Sequence, residues 1–262
     1  ALSASPIAGI AHDACSRKLA VIIALLTFAI AGIIKGAIGS GVPVVVVPVL
    51  TMLYDVKLAI AVLVAPNLFS NALQVWQYRQ HLLPLRFLLS FAVAGGAGIV
   101  LGTWGLVVLS PTLLSLGVAA AILLYLIIKL AKRTATLPFT VAKRIVLPVG
   151  LLAGVLQGAA GMSAPASVTF LNAMQLERRV FIGSISVFFV AITLVQIPAL
   201  LSAGILTGER TLYSLGALLV ILAAMPIGAQ LGRRLPHRWF DNLIMCLLAS
   251  IALKIILDAL LT

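Results

Sequence analysis

The sequence predicts an all-α polytopic membrane protein made of two inverted-topology repeats, each a glycine-broken hairpin-like element followed by three transmembrane helices. Three observations predict it. Of the 262 residues, 63% are hydrophobic and 9% charged, with a mean hydropathy of +1.23, whereas soluble domains run near ~45–50% apolar and ~25% charged. The apolar residues gather in runs of spanning length, about 20 residues each. Two of the runs are overlong and are interrupted at matching places. No globular core hides this much apolar side chain, so lipid must solvate it. A soluble enzyme, a nucleic-acid-binding module and a disordered chain are excluded.

The elements follow in order. Residues 1–18, with His12 and Asp13, are too polar for a signal-peptide apolar region and read as an exposed N-terminal tail. The first transmembrane repeat covers residues 19–130. Its first run, Leu19 to Tyr54, has 36 residues. As one helix it would measure about 54 Å against a ~30 Å hydrocarbon core, so it is not a single straight span. The interruption is Gly36-Ala-Ile-Gly39-Ser40-Gly41-Val-Pro43, where three glycines and a proline disfavour continuous helix. Runs from Leu58 to Tyr78, Phe87 to Leu109 and Leu113 to Leu130 complete the repeat. Residues 131–144 are a basic linker expected in the cytoplasm. The second repeat covers residues 145–262. Its first run, Ile145 to Met174, is broken at Gly158-Ala-Ala-Gly161-Met162-Ser163-Ala-Pro165. Runs from Val180 to Leu201, Leu212 to Leu231 and Phe240 to Leu261 follow it.

The two breaks align at one offset. Gly32-Ile-Ile-Lys35-Gly36-Ala-Ile-Gly39-x-x-x-Pro43 superimposes on Gly154-Val-Leu-Gln157-Gly158-Ala-Ala-Gly161-x-x-x-Pro165, 122 residues on. The same offset carries Lys57 onto Arg179 and Gln74 onto Gln196, and Gly102 matches Gly228 at 126. Four glycine or proline matches in 12 columns indicate an internal duplication.

Charge distribution sets the orientation. The net charge of +12 sits in clusters between apolar runs, as cytoplasmic loops of membrane proteins are marked. If both broken runs are hairpins that return to their starting side, Lys and Arg divide 12 to 4. Two single crossings give 10 to 6, and a hairpin in the second run alone gives 14 to 2. Two hairpins combine a strong bias with repeat symmetry. Each repeat then makes an odd net number of crossings and the halves run in opposite directions.

Interrupted helices in inverted repeats are a transporter signature. Unpaired backbone in lipid is tolerated only where it lines a cavity or is buried in protein. A half-helix starting at Gly41 or Ser163 aims free N–H groups and a positive dipole end at the break, which suits an anion. Close helix packing by small residues is the other use of such glycines. Lys35 lies 16 residues past Leu19 inside apolar sequence. An ionisable residue at that depth marks a site, unless its stem snorkels to an interface. The substrate-site candidates are Lys35, Gly36, Gly39, Ser40, Gly41, Gln157, Gly158, Gly161, Met162 and Ser163. Asn67, Asn71 and Gln74 share a helical face, as do Thr193 and Gln196. They serve either the site or interhelical hydrogen bonds. His12, His81 and His237 sit in tails or loops, so no metal or haem cluster is expected. Cys15 and Cys246 lie far apart without a CxxC, and no cofactor is implied.

Gly32-x-x-x-Gly36-x-x-Gly39-x-Gly41 followed by Pro43 and Pro48, with its second copy from Gly154 to Pro165, resembles the glycine-rich repeats of the sulfite exporter TauE/SafE family, also called the toluene-sulfonate uptake permeases. The resemblance covers essentially the whole chain. The family's glycine tip is usually denser than here, where Ser40, Val42, Met162 and Ala164 interrupt it. The resemblance implies transport of sulfite, sulfonates or related sulfur oxyanions across a bacterial inner membrane. The expected protein is a multi-pass secondary transporter whose partners are a small anion and the bilayer. Its two breaks would form a midplane site, and it would export by alternating access. The rival reading is a membrane enzyme or thiol/redox carrier. It lacks a cysteine dyad or clustered His and carboxylates: Asp13, Asp55, Glu177, Glu209, Asp241 and Asp258 fall almost entirely at loops or span ends.

Overall fold

Lipid offers no partner to backbone N–H and C=O groups, so each apolar run must satisfy its own, and each becomes helix. The structure, a computed structural model, describes residues 6–130, 136–234, 249 and 253. Among the described residues there are ten α-helices and no strand: α1 (Pro6–Ile38), α2 (Val42–Leu53), α3 (Val56–Val62), α4 (Val64–Tyr78), α5 (Leu85–Val108), α6 (Pro111–Leu130), α7 (Phe139–Ala160), α8 (Ala164–Ala173), α9 (Arg178–Ser202) and α10 (Gly208–Arg234). Among the described residues, six segments are long and apolar enough to cross a membrane: Lys18–Ile38, Val56–Tyr78, Leu85–Val108, Phe139–Ala160, Arg178–Ser202 and Gly208–Gly232. The protein is a multi-pass α-helical membrane protein. Helix α1 begins at Pro6, within the segment expected as a tail. Residues 1–5, residues 131–135 of the linker, and the run Phe240 to Leu261 apart from positions 249 and 253 lie outside the described residues.

The run Leu58 to Tyr78 is two helices, α3 and α4, meeting at Leu63. Pro66 explains the joint, because its ring carries no N–H and crowds the carbonyl four residues back. Asp55 caps α3, its carboxylate accepting from the Leu58 N–H at 2.8 Å.

Both overlong runs turn back on themselves. Leu50, Leu53 and Tyr54, at the end of α2, share a cavity wall with Ala20, Val21, Ala24, Leu25 and Phe28 of α1, so α2 returns alongside α1. The Leu137 N–H, two residues before α7, donates to the Ala173 carbonyl at the end of α8 at 2.7 Å. That bond brings the end of the second broken run to its own start.

The two halves are cross-packed. Helix α1 packs on α10, α7 packs on α5, and α4 packs on α9. Under the repeat offsets α1 corresponds to α7 and α10 to α5, so the first two contacts are one contact made twice. Both are parallel and glycine-mediated. A Cβ on Gly36 would lie 2.0 Å from the Met225 carbonyl oxygen, and one on Gly228 would lie 1.9 Å from that of Ile33. In the other pair, a Cβ on Gly154 would lie 2.0 Å from the Gly95 carbonyl oxygen, and one on Gly102 2.4 Å from that of Val155. Small residues let apolar helices approach closely where lipid gives no hydrophobic drive to associate.

Candidate functional site

The first break begins where Gly39 takes φ 86 and donates its N–H to the Lys35 carbonyl at 2.7 Å. Gly41 follows at φ 109 and opens α2, with Pro43 in the first turn. Such backbone favours glycine, because a side chain there strains the chain. The N–H groups of Ser40, Gly41 and Val42 find no acceptor among the described residues. One helical turn back, Lys35 is buried and its ammonium donates to the Asn71 amide oxygen at 2.8 Å. The Asn71 amide nitrogen donates to the Asn67 carbonyl at 2.7 Å, which leaves the amide oxygen to face the lysine. No carboxylate pairs with Lys35 among the described residues. Asp55, Glu177 and Glu209 all stand at helix starts.

The second break is organised differently. Gly161 ends α7 in a left-handed cap at φ 67, its N–H donating to the Gln157 carbonyl at 2.9 Å. The Gln157 side-chain oxygen then accepts the Ser163 N–H at 3.2 Å, so the chain supplies its own acceptor at this half-helix start. Gln196 reaches the Gln157 carbonyl at 3.5 Å. The Ser163 hydroxyl is buried and has no hydrogen-bond partner among the described residues, an arrangement that normally costs free energy.

All the polar side chains read as candidates from the sequence are buried: Lys35, Ser40, Asn67, Asn71, Gln74, Gln157, Ser163, Thr193 and Gln196. The structure brings Lys35 together with Asn71, Gln157 with Ser163 and Gln196, and Gln74 with Ser186, whose hydroxyl donates to the Gln74 amide oxygen at 3.1 Å. No hydrogen bond joins the Lys35 group to the Gln157 group among the described residues. Thr193 bonds the Phe189 carbonyl of its own helix. Gly36 lies against α10, Gly158 against the Ile99 carbonyl oxygen of α5, and Met162 in the apolar core.

Each break rests on the other half. Gly39 lies against the Ile182 side chain, and Gly161 against the Ile60 side chain. Ile60 and Ile182 are 122 residues apart, as are the two glycines. One partner is invisible to sequence reading. The Arg178 guanidinium, at the start of α9, donates to the Ala37 carbonyl at 2.6 Å and so caps the end of α1. In the sequence Arg178 signals only which side its loop faces.

A comparison with known families matches residues 24–255 to the sulfite exporter TauE/SafE model. No curated protein and no solved structure matches the chain significantly. The match spans both broken helices and their partners, and the chain belongs to the sulfite exporter TauE/SafE family of membrane transporters of sulfur anions.

Proposed function

We propose that the protein exports small sulfur oxyanions, sulfite or small organic sulfonates, across a bacterial inner membrane by alternating access, with the first break as the binding site. The observation that carries this is Lys35: a buried ammonium with no carboxylate partner among the described residues, beside three backbone N–H groups that find no acceptor there. Burying a charge is costly unless it is paired, and an oxyanion supplies both the counter-charge and the acceptors. Asn71 holds the lysine in place, while Ser40, Gly41 and Val42 present donors at the start of α2. At the second break the Gln157 oxygen occupies the acceptor role, so that copy is self-capped. Ser163 and Gln196 serve it as secondary polar contacts.

The doubled α1–α10 and α7–α5 contacts and the two returning hairpins support inverted repeats, whose halves exchange roles as the site alternates. Glu209 stands in the first turn of its span and no carboxylate lies deeper in a described span, so direct coupling to protons or sodium through a buried acidic side chain has no support among the described residues. A membrane potential, negative inside, is worth about 2.3 kcal/mol per charge per 100 mV and drives anions outward. Binding and flux of sulfite, sulfate, thiosulfate and small sulfonates with purified protein in proteoliposomes test the reading. If none binds or moves, it fails.

A further inference from the structure

At one end of the bundle lies a cavity of about 620 Å³, bounded by Phe28 of α1, Leu50 of α2, Leu58 and Val62 of α3, and Tyr213 and Ala217 of α10. At the other end, where α5, α7 and α9 begin and α8 finishes, five phenylalanines fill the interior. Phe91 stacks on Phe188 with ring centroids 3.9 Å apart. Phe87 lies 5.5 Å from Phe139 and 6.1 Å from Phe170, and Phe91 lies 5.6 Å from Phe170. Helix α4 runs from the first end, where the Ala65 N–H bonds the Ser214 hydroxyl, to the second, where Gly183 lies against Tyr78 and His81.

These two places are repeat copies of one another. At the 126-residue offset Phe87 and Phe91 correspond to Tyr213 and Ala217. At the 122-residue offset Phe170 corresponds to Pro48 and Gly150 to Phe28. At two of these pairs the residue sizes are exchanged, Phe91 for Ala217 and Gly150 for Phe28. At the filled end a Cβ on Gly150 would come within 3.0 Å of the Phe91 ring. At the open end Phe28 faces the same cavity as Ala217. The same backbone construction is therefore shut by aromatic rings in one half and open in the other.

We propose that the phenylalanine cluster of Phe87, Phe91, Phe139 and Phe170 is the closed gate of the transport path, and that the cavity between Phe28 and Ala217 is its open counterpart. This inference rests on the alternating-access reading. The structure is the state open at the end of the cavity and closed at the basic end, beside Arg79, Arg86, Lys143 and Arg178. In the opposite state the α10 wall of Tyr213 and Ala217 closes on Phe28, and the phenylalanines part.

The gate is tested by two single cysteines at equivalent positions, Ala24→Cys in the cavity wall and Val146→Cys in the aromatic cluster, each in a full chain carrying Cys15→Ser and Cys246→Ser. A hydrophilic methanethiosulfonate is the probe, applied to both faces of the membrane. Without substrate the cysteine at position 24 should react at least about tenfold faster than that at 146. A small organic sulfonate at saturating concentration, which unlike sulfite does not react with the thiosulfonate or its disulfide product, should narrow or reverse that ratio as it moves through the protein. Equal rates that ignore the sulfonate would overturn the proposal, as would reaction at position 24 only with a lipid-soluble maleimide, which would make the cavity a lipid crevice. Ala217→Phe supplies the ring that its repeat partner carries. It should cut sulfite flux at least tenfold while sulfite binding persists, and Ala217→Leu should give a smaller loss in the same direction. Wild-type flux in both folded variants would overturn the gate. Sulfite that neither binds nor moves in the unmodified protein would sink the transport reading instead, leaving the labelling ratio as a separate measurement.

Discussion

The Lys35 ammonium and the Asn71 amide oxygen, 2.8 Å apart, tie α1 to α4 at the first break. Two of the three ammonium donors have no protein acceptor among the described residues, so the pair holds the charge in place without neutralising it. Lys35→Gln should weaken anion binding about 10- to 100-fold, since a bond to a charged group is worth about 1.5–3 kcal/mol. Lys35→Arg should recover part of that loss, limited by its larger planar head. Isothermal titration with sulfite measures both. Undiminished affinity in a folded Lys35→Gln variant would remove the lysine from the site.

The glycine contacts make a packing prediction independent of transport. Gly154→Val places branched carbons where the Gly95 carbonyl oxygen already sits and should destabilise the protein by about 3 kcal/mol or more. Gly117 faces open space, so Gly117→Ala should be neutral or stabilise by up to about 1 kcal/mol through helix propensity. Thermal unfolding in detergent compares the two. Equal melting temperatures would disprove the close glycine-mediated contact of α7 with α5.

Arg178 should act as a helix cap. Arg178→Gln removes a charged donor from the Ala37 carbonyl and should cost about 1–2 kcal/mol of stability. Arg179→Gln, one residue on, serves as the control and should cost less. Finding the control the more damaging of the two would show that the Ala37 contact contributes nothing.

Topology follows from the hairpins. The loops from Arg79 to Arg86 and from 131 to 144, and the end of α10 at Arg233, should all face the cytoplasm. Cysteine labelling from either side, with Cys15 and Cys246 replaced, reads this directly. Arg233 on the side opposite residues 131–144 would rule out inverted repeats.

Flux should follow voltage. In proteoliposomes, a potassium–valinomycin potential should drive anion movement toward the positive side. Movement that instead tracks an imposed pH or sodium gradient would reveal a coupling site outside the groups described above.

The breaks were legible because glycine and proline recur there at one offset, and Lys35 because a cation stands alone in apolar sequence. Its partner was half legible. Asn67 and Asn71 share a helical face, yet nothing in their spacing distinguishes a lysine on another helix from any other buried neighbour. Gly36 and Gly158 show the limit most clearly. A missing side chain serves close approach by a ligand and close approach by a helix equally well, and the structure places helices against both. Arg178 was hidden for another reason. Its acceptor is a backbone carbonyl 141 residues away, and every residue type carries one.

The cross-packing of α1 on α10 also sets an order of assembly. Gly36 meets Met225, which the ribosome adds 189 residues later. At about 5–20 residues per second, that delay is roughly 10–40 s. Lys35 acquires Asn71 early, when α4 inserts, but the glycine face of α1 waits for α10, the last of the ten described helices. During synthesis the first hairpin therefore sits in the bilayer with one flank unclaimed, and α5 waits likewise for α7. Neither half can complete its own packing. Two fragments cut in the 131–135 segment should each be degraded when made alone, and should rescue one another when made together.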